Sequence, residues 1–419
     1  MHHILIVAPA FPPENLAGAA RPFRFSRYLP EFGYCPQILT ASVQDPEHPP
    51  KNVYYVPDRV AASPPRSLLR LSEEALRRLN LPGDASLPWV IDASKAINGL
   101  WREAPFAAIY STSPPLGAHL LGLLIKRRYG LPWVADFRDP LVGNAFRPIR
   151  GFPALIDARI ERAIFRHANK IVGVTDRFVE DWSHRYPQFA DKMHVIWNGF
   201  DPADPVRPLP LPPGHRRVLA HIGEIYGARS PLPVVASIRR LIEAGHVNPE
   251  SILIRLVGDF AEDALTACKS AFADLTTLGC LEYENRRVGL DEAKAVIARS
   301  DYLLLLDNNA KNIGQTVPSK LFEYIQVGRP IVALTAPDSP VACILRQSGT
   351  SYVEVQQDMP APEIDRRILA LLALPSHPVA PNAWFCRNFD AREQTAQLAG
   401  IFDSLLQTGS HTSCTTVKD

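Results

Sequence analysis

Short apolar runs alternate with amphipathic segments along this 419-residue chain, and this alternation restricts the folds that it can adopt. The apolar runs lack strict polar–apolar alternation, which is typical of strands that are covered on both faces. Repeated strand and helix patterns predict a parallel sheet with helices on both sides. In the first half, we predict strands at residues 4–8, 35–39, 107–110, 133–135, 170–174 and 193–196.

The pattern restarts after a proline-rich segment at residues 202–213, which cannot continue a helix or a central strand. Further strands are predicted at residues 217–222, 252–257, 302–306 and 330–334. We therefore predict two doubly wound α/β domains, at residues 1–200 and 201–388, which face each other across a cleft. A helix at 389–408 should pack back on the first domain, and residues 409–419 should form a flexible tail. The cleft, at the carboxyl ends of the strands, is the expected ligand site.

The composition is that of an ordinary soluble globular protein, with 46% hydrophobic and 21% charged residues. A net charge of +2 gives no reason to expect nucleic acid as a partner. No apolar stretch approaches the roughly 20 residues that a membrane-spanning helix needs, and the N-terminus lacks a basic leader. The six cysteines show no CxxC spacing, so we expect reduced thiols in a cytoplasmic protein.

Several common catalytic motifs are missing from the sequence. There is no GxGxxG, GxxxxGK[ST], GxSxG or HExxH segment, which excludes the commonest dinucleotide, P-loop, hydrolase and zinc-protease sites. The absence of a D-x-D pair weakens any interpretation that needs a metal–nucleotide site. We therefore expect no obligatory metal or cofactor.

The segment at residues 315–330 has the pattern of an anion site at the start of a helix. Pro318 suits a first helical turn, and the free N–H groups around Ser319 would attract a diphosphate. Lys320 adds a positive charge there, and Glu323, on nearly the same helix face, suits the hydroxyls of a ribose. The alternative is a capped amphipathic helix without a ligand.

A second polar group, Asp136-Phe137-Arg138-Asp139, follows the apolar run at 133–135. Its side chains should emerge at the carboxyl end of that strand, where they could orient an acceptor hydroxyl or accept its proton. The alternative is a structural salt-bridge cluster. His119, near the start of a predicted helix, would point to the same edge unless it is a core histidine.

Six segments together resemble the retaining nucleotide-sugar glycosyltransferases of the GT-B fold, specifically the bacterial family-four type. These segments are residues 4–13, 17–21, 135–140, 195–201, 222–229 and 317–330. The resemblance implies two Rossmann-like domains and transfer of a sugar from a nucleotide diphosphate sugar to a glycan, lipid-linked or small-molecule acceptor. It also implies attack on the donor from the face that the diphosphate leaves.

The resemblance also implies roles for single residues. Gly18 would let the backbone approach the donor phosphates or sugar, Arg229 would pair with the diphosphate, and Val288 would contact the base. In the family, a Glu-x7-Glu pair contacts the donor sugar and the ribose. The second glutamate is Glu323 here, but the first position holds Gln315, which can hydrogen-bond a sugar and cannot offer a negative charge.

Arg138 stands at roughly the place of a histidine that the family often has near the reacting centre. Together with Asp136, Asp139 and His119, it forms the predicted catalytic group.

Residues 66–81 read as an amphipathic helix with Arg66, Arg70 and Arg77 on one face. Such a helix permits peripheral contact with an anionic membrane that holds a lipid-linked acceptor; the alternative is a soluble surface helix. Two other functions stay open from the sequence. One is a nucleotide-sugar epimerase or hydrolase on the same fold, and the other is a non-catalytic nucleotide-sugar-binding protein.

Overall fold

The computed structural model describes residues 1–14, 17–43, 50–60, 86–144, 147, 149–227, 229–307 and 317–410. The chain divides into two compact units. The N-terminal unit comprises Met1–Asn198 and Ala391–Asp419, and the C-terminal unit comprises Gly199–Asp390. The boundary thus lies two residues before the predicted one, and the predicted helix at 66–81 lies outside the described residues.

The N-terminal unit is built on a seven-stranded sheet in the order β3-β2-β1-β4-β5-β6-β7. Every neighbouring pair of strands is parallel. The strands are β1 His2–Val7, β2 Tyr34–Thr40, β3 Val53–Tyr55, β4 Ala108–Ser113, β5 Trp133–Phe137, β6 Lys170–Gly173 and β7 Met193–Val195.

Helices cover both faces of this sheet. They are α1 Ala17–Tyr28, α2 Leu87–Glu103, α3 Gly117–Tyr129, α4 Phe152–His167, α5 Asp176–Arg185 and the C-terminal helix Ala391–Ser410. Helices α2 to α5 pack on one face over a core that contains Trp133, Phe165 and Trp182. Helix α1 and the C-terminal helix pack on the other face, where Phe402 is buried beside Tyr34.

The C-terminal unit has a six-stranded parallel sheet in the order β10-β9-β8-β11-β12-β13. Its strands are β8 Arg217–Ile222, β9 Ile252–Gly258, β10 Leu281–Asn285, β11 Tyr302–Leu306, β12 Ile331–Leu334 and β13 Tyr352–Val355. Its helices are α6 Leu232–Glu243, α7 Glu262–Thr277, α8 Leu290–Ala298, α9 Lys320–Val327, α10 Pro340–Ser348, α11 Ala361–Ala373 and α12 Ala383–Phe389. Residues of α6, α7 and α11 form the core over one face of this sheet.

The predicted fold class, two doubly wound parallel α/β sheets, is confirmed. Three strands were not predicted, namely β3, β10 and β13, and each stands at the edge of its sheet. Edge strands are less completely covered, so they need no continuous apolar run. Strand β10, for example, has exposed residues along most of its length.

Each sheet has a topological switch point, where the chain winds outward in opposite directions from two adjacent strands. These strands are β1 and β4 in the N-terminal unit and β8 and β11 in the C-terminal unit. Loops that leave such a pair diverge, and they leave a crevice at the carboxyl ends of the strands. Most of the predicted site residues follow these strands or begin the helices after them. No helix in the described ranges is long and apolar enough to span a membrane.

Candidate functional site

In the C-terminal unit, Lys320 lies against the backbone where β8 ends. Gly223 follows β8 with a φ of +136°, and its N–H donates to the carbonyl of Val257 at 2.7 Å. A β-carbon on Gly223 would lie 1.4 Å from Nζ of Lys320. Only glycine therefore leaves room for the ammonium group at this position.

Lys320 and Arg229 form a cluster of two positive charges at this switch point. Burial lowers the pKa of Lys320 to about 8, and the nearby Arg229 contributes to the shift, while Glu323 and Glu224 oppose it. The Lys320 ammonium has no hydrogen-bond or ion-pair partner within the part of the chain that the structure describes. Two clustered cations, one of them partly desolvated, are arranged to receive an anion.

Arg229 is held in place by an aromatic ring. Its guanidinium carbon lies 4.9 Å from the centre of the Tyr226 ring, and its backbone N–H donates to the Tyr226 carbonyl at 3.0 Å. Its Nε atom is buried and lacks a hydrogen-bond partner among the described residues. The ring therefore orients a guanidinium that retains an unused donor.

His221, inside β8, is a neutral neighbour of this cluster. Its Nδ1 atom lies 2.9 Å from the carbonyl oxygen of Leu304, so Nδ1 carries the proton. Burial lowers the pKa of His221 to about 3, and Lys320 and Arg229 both contribute to the shift. The site thus avoids a third positive charge beside these two.

The start of α9 adds backbone donors beside Lys320. The first turn is tight, since the N–H of Leu321 donates to the Pro318 carbonyl at 3.0 Å. The amides of exposed Ser319 and of Lys320 donate to no acceptor in the described ranges, so they are free for a ligand. Glu323 lies on α9, close to one turn beyond Lys320. Gln315 lies outside the described residues.

Val288 lies half-buried in the loop between β10 and α8. The adjacent Arg287 reaches Glu224 at 3.8 Å, and this contact joins the loop to the one that follows β8. Four predicted donor residues therefore lie at one edge of the sheet: Arg229 and Val288 on loops, and Lys320 and Glu323 in the first turn of α9.

In the N-terminal unit, Arg138 covers Gly18. A β-carbon on Gly18 would lie 2.4 Å from Nη1 of Arg138. The Arg138 Nη2 group donates to the Pro114 carbonyl, and the backbone N–H donates to the Ser113 carbonyl at 2.9 Å. Arg138 therefore bridges the start of α1, which follows β1, and the loop that follows β4, at the switch point.

Asp139 is the carboxylate beside this guanidinium. Burial raises the pKa of Asp139 above its usual value, and the charge of Arg138 opposes the rise. A half-buried carboxylate with a raised pKa is a suitable group for accepting or holding a proton.

Asp136 does not emerge at the strand end as we predicted. Strand β5 continues through Phe137, so Asp136 lies inside it and is completely buried. Its carboxylate accepts hydrogen bonds from Arg21 at 2.8 Å, from Tyr110 at 2.7 Å and from Thr112 at 2.8 Å. Burial alone would raise the pKa of Asp136, but Arg21 and these donors lower it. This geometry assigns Asp136 a structural role.

His119 is also enclosed in the N-terminal unit. Its Nδ1 atom lies 2.8 Å from Oγ of Ser111, and its ring centre lies 4.3 Å from that of Phe137. Burial lowers the pKa of His119 to about 3, so the ring is neutral. The alternative interpretation, a core histidine, is the one that this environment fits.

Arg21, Gly223 and His221 were given no role from the sequence. Arg21 is buried on α1, and it also donates to the carbonyls of Ile196 and Trp197, at 2.8 and 2.7 Å. A buried aspartate such as Asp136 requires a nearby cation, and this requirement could have indicated Arg21 from the sequence. No local pattern could have paired Gly223 with Lys320, because the two are far apart in sequence.

The described residues contain no group of three or more His, Cys, Asp or Glu side chains that could hold a metal ion.

Most of the N-terminal unit matches a known protein family. Residues 17–199 match the family model described as a glycosyl transferase 4-like domain. This match confirms the resemblance to the family-four type that we inferred from the sequence motifs. No curated protein matches the chain.

Solved structures resemble the chain over nearly its whole length, at low sequence identity. HepE from Anabaena, solved with UDP and glucose, is 16% identical with a TM-score of 0.60; the match covers 96% of this chain and 100% of HepE. A glycosyltransferase from Rickettsia africae is 12% identical with a TM-score of 0.59, covering 98% and 97%. The catalytic domain of starch synthase IV from Arabidopsis thaliana, bound to ADP and acarbose, is 10% identical with a TM-score of 0.60, covering 97% and 99%. The chain thus has the GT-B fold.

Proposed function

We propose that this protein is a retaining glycosyltransferase that transfers a sugar from a nucleotide diphosphate sugar to a glycan, lipid-linked or small-molecule acceptor. The observation that carries the proposal is the pair of cations formed by Lys320 and Arg229. They lie at the switch point of the C-terminal sheet, where α/β folds bind nucleotides. The match of residues 17–199 to the glycosyl transferase 4-like family model supports the reaction class.

Lys320, Arg229 and the helix-start amides would bind the donor diphosphate and stabilise it as it leaves. Negative charge grows on the diphosphate as the bond to the sugar breaks, so preorganised donors favour the transition state over the ground state. Glu323 would accept hydrogen bonds from the ribose hydroxyls, and Val288 would contact the base. The complexes of HepE with UDP and of starch synthase IV with ADP support a nucleoside diphosphate as the ligand.

Arg138 and Asp139 would act on the acceptor side of the reaction. Asp139 would orient the attacking hydroxyl, and Arg138 would fix that carboxylate while Gly18 gives its guanidinium space. In the transfer, the bond from the anomeric carbon to the diphosphate oxygen breaks. A bond from the same carbon to the acceptor oxygen forms on the same face, and the acceptor proton passes to the departing diphosphate. We propose that no protein-bound metal is required.

Isothermal titration calorimetry with UDP, GDP and ADP tests the donor site. We expect one nucleotide to bind to the wild-type chain and its affinity to fall at least tenfold in Lys320→Ala, since a charge-assisted contact is lost. Lys269→Ala is the matched control because Lys269 is an exposed lysine on α7 of the same unit. Equal affinity of the wild type and the Lys320 variant would reject the phosphate assignment.

Glu323→Gln tests the ribose contact separately. We expect weaker nucleoside diphosphate binding because an amide accepts hydrogen bonds less strongly than a carboxylate. Incubation of the bound donor with and without acceptor pools then separates the reaction classes. Transfer with retained anomeric configuration is expected, whereas a new sugar isomer without acceptor would indicate an epimerase.

A further inference from the structure

The outer face of α4 combines exposed apolar and basic side chains in one stripe. Its members are spaced by three and four residues, so they lie on one side of the helix. They are Phe152, Leu155, Arg159, Arg162 and Arg166, and all five are exposed. Phe152 is 71% and Leu155 is 55% exposed, which is unusual for large apolar side chains.

The acidic residues of α4 point away from this stripe. Asp157 and Glu161 are buried, and they form ion pairs with Arg147 and Arg185 at 3.2 and 2.9 Å. Within the described chain, none of the three stripe arginines forms an ion pair. The exposed side of α4 therefore presents positive charge that no carboxylate of the described residues pairs with.

Helix α3, beside α4, and helix α2, beside α3, extend the same surface. Helix α3 packs against both α2 and α4. Helix α3 exposes Leu124 followed by Arg127 and Arg128, and α2 exposes Leu87 and Ile91. We call the outer side of α2, α3 and α4 the basic-apolar face. With interhelix distances of about 10 Å, this face is roughly 20 Å wide, too broad for one partner helix.

We propose that the basic-apolar face docks on an anionic lipid membrane. Its apolar side chains would enter the boundary between headgroups and acyl chains, while the arginines would pair with lipid phosphates. Charge complementarity favours this partner, because the unpaired arginines on α4 and α3 match a negative surface. A broad face suits a planar fluid surface, in which headgroups can move to meet fixed cations.

The orientation of the face relates docking to the proposed reaction. Helices α2, α3 and α4 each precede a parallel strand of the same sheet, so they begin at the carboxyl edge of that sheet. Leu87, Phe152 and Leu155 lie in the first turns of their helices, near the edge that holds Arg138 and Asp139. This consequence rests on the proposed function: docking would bring the acceptor-side residues to the membrane and favour a lipid-linked acceptor.

Co-sedimentation of the full chain with vesicles tests the proposal. We expect binding to vesicles of phosphatidylcholine with phosphatidylglycerol, weaker binding at high salt, and little binding to pure phosphatidylcholine. Replacing Arg159, Arg162 and Arg166 by glutamine should weaken binding by roughly fivefold per charge, on the order of a hundredfold together. Phe152→Ser with Leu155→Ser should weaken it at least tenfold.

Matched controls lie on the C-terminal unit. Leu278→Ser removes an apolar side chain that is 51% exposed, and Arg299→Gln removes an exposed cation, so neither should change vesicle binding. Gel filtration of each variant checks folding and self-association. Absence of binding by the wild type, or binding unchanged in both sets of stripe variants, overturns the proposal. Vesicle binding needs no turnover, so its failure is distinguishable from failure of the glycosyltransferase proposal.

Discussion

The ammonium group of Lys320 occupies the space into which a β-carbon on Gly223 would project. Gly223→Ala should therefore displace Lys320 and also strain a backbone with a φ of +136°. We expect a lower melting temperature and at least a tenfold loss of nucleoside diphosphate affinity, measured by thermal unfolding and calorimetry. Gly400→Ala is the control, because nothing lies within 4 Å of the added carbon. Normal nucleotide affinity of the Gly223 variant would contradict the arrangement.

Nucleotide binding should depend on pH through Lys320, whose pKa is lowered to about 8 by burial and by Arg229. A bound diphosphate favours the charged form, so the free protein must take up a proton when it binds nucleotide above about pH 8. Affinity should decline as pH rises through 8, and calorimetry in buffers of different ionisation enthalpy should detect the uptake. Lys320→Arg should abolish this proton uptake because arginine stays charged. Uptake that persists in this variant would assign it to another group.

Lys320 should also affect the stability of the fold, but stability should rise with pH where nucleotide affinity falls. Its pKa is lower in the folded than in the unfolded chain, so the unfolded chain binds more protons between about pH 8 and its ordinary value of 10.5. The charged lysine therefore opposes folding below pH 8, and this cost declines as pH rises. We expect Lys320→Met to lose nucleotide binding while its melting temperature at pH 7 equals or exceeds that of the wild type. A clear drop in melting temperature would show that the lysine stabilises the fold.

Gly18→Ala should separate activity from stability in the N-terminal unit. The added carbon would lie 2.4 Å from Nη1 of Arg138, the end of a flexible side chain, so the guanidinium can move at little cost. Alanine also restricts the unfolded chain more than glycine does, which favours folding where the backbone conformation suits both. We expect an unchanged or higher melting temperature and a loss of glycosyl transfer like that of Arg138→Ala. Full transfer by Gly18→Ala would show that the position of Arg138 is unimportant.

Breaking the Arg21–Asp136 pair should destabilise the N-terminal unit. Arg21→Met would leave a buried carboxylate without its cation, a change that typically costs about 3–5 kcal/mol. The double variant Arg21→Met with Asp136→Asn should recover part of this loss, as thermal unfolding would show. Arg366→Gln, in a solvent-screened surface pair with Glu363, should cost far less. Similar effects of Arg21→Met and Arg366→Gln would contradict a structural role.

The same pair predicts the response to acid. The pKa of Asp136 is lowered in the folded protein, so its stabilising contribution is complete above its ordinary pKa. That contribution is lost as the pH falls through the lower pKa that Asp136 has in the folded protein. The melting temperatures of wild type and Asp136→Asn should therefore converge on acidification below about pH 4.

The central strands were predictable because burial on both faces leaves a continuous apolar run, as in β11, Tyr302–Leu306. Edge strand β10 was not predictable in this way, since it has polar residues such as Glu282 and Glu284 at positions that are not buried. The end of β5 was placed too early for a related reason. Asp136 looks like the start of a loop until its partner is known, and Arg21 is 115 residues away in sequence.

The candidate donor site was predicted in part. Helix-start chemistry indicated Ser319 and Lys320, and the resemblance indicated Arg229. The contact of Lys320 with Gly223 and the neutral His221 depend on which strands the sheet places side by side, which residue types alone do not specify. The sequence did not decide whether His119 faces the ligand site or the core, because a residue at the start of a helix can do either.

One face of the N-terminal sheet is covered in part by a helix that is synthesised only after the whole C-terminal unit. Phe402 and Leu398 of the C-terminal helix are completely buried against the face that also holds Phe25 and Tyr34. During translation, helix α1 alone covers that face, and the rest of it stays open until the whole C-terminal unit, Gly199–Asp390, has left the ribosome. The continuous unit can fold as the chain emerges, whereas the discontinuous one must wait with an open apolar surface. Chaperone dependence during biosynthesis is therefore expected to centre on the N-terminal unit.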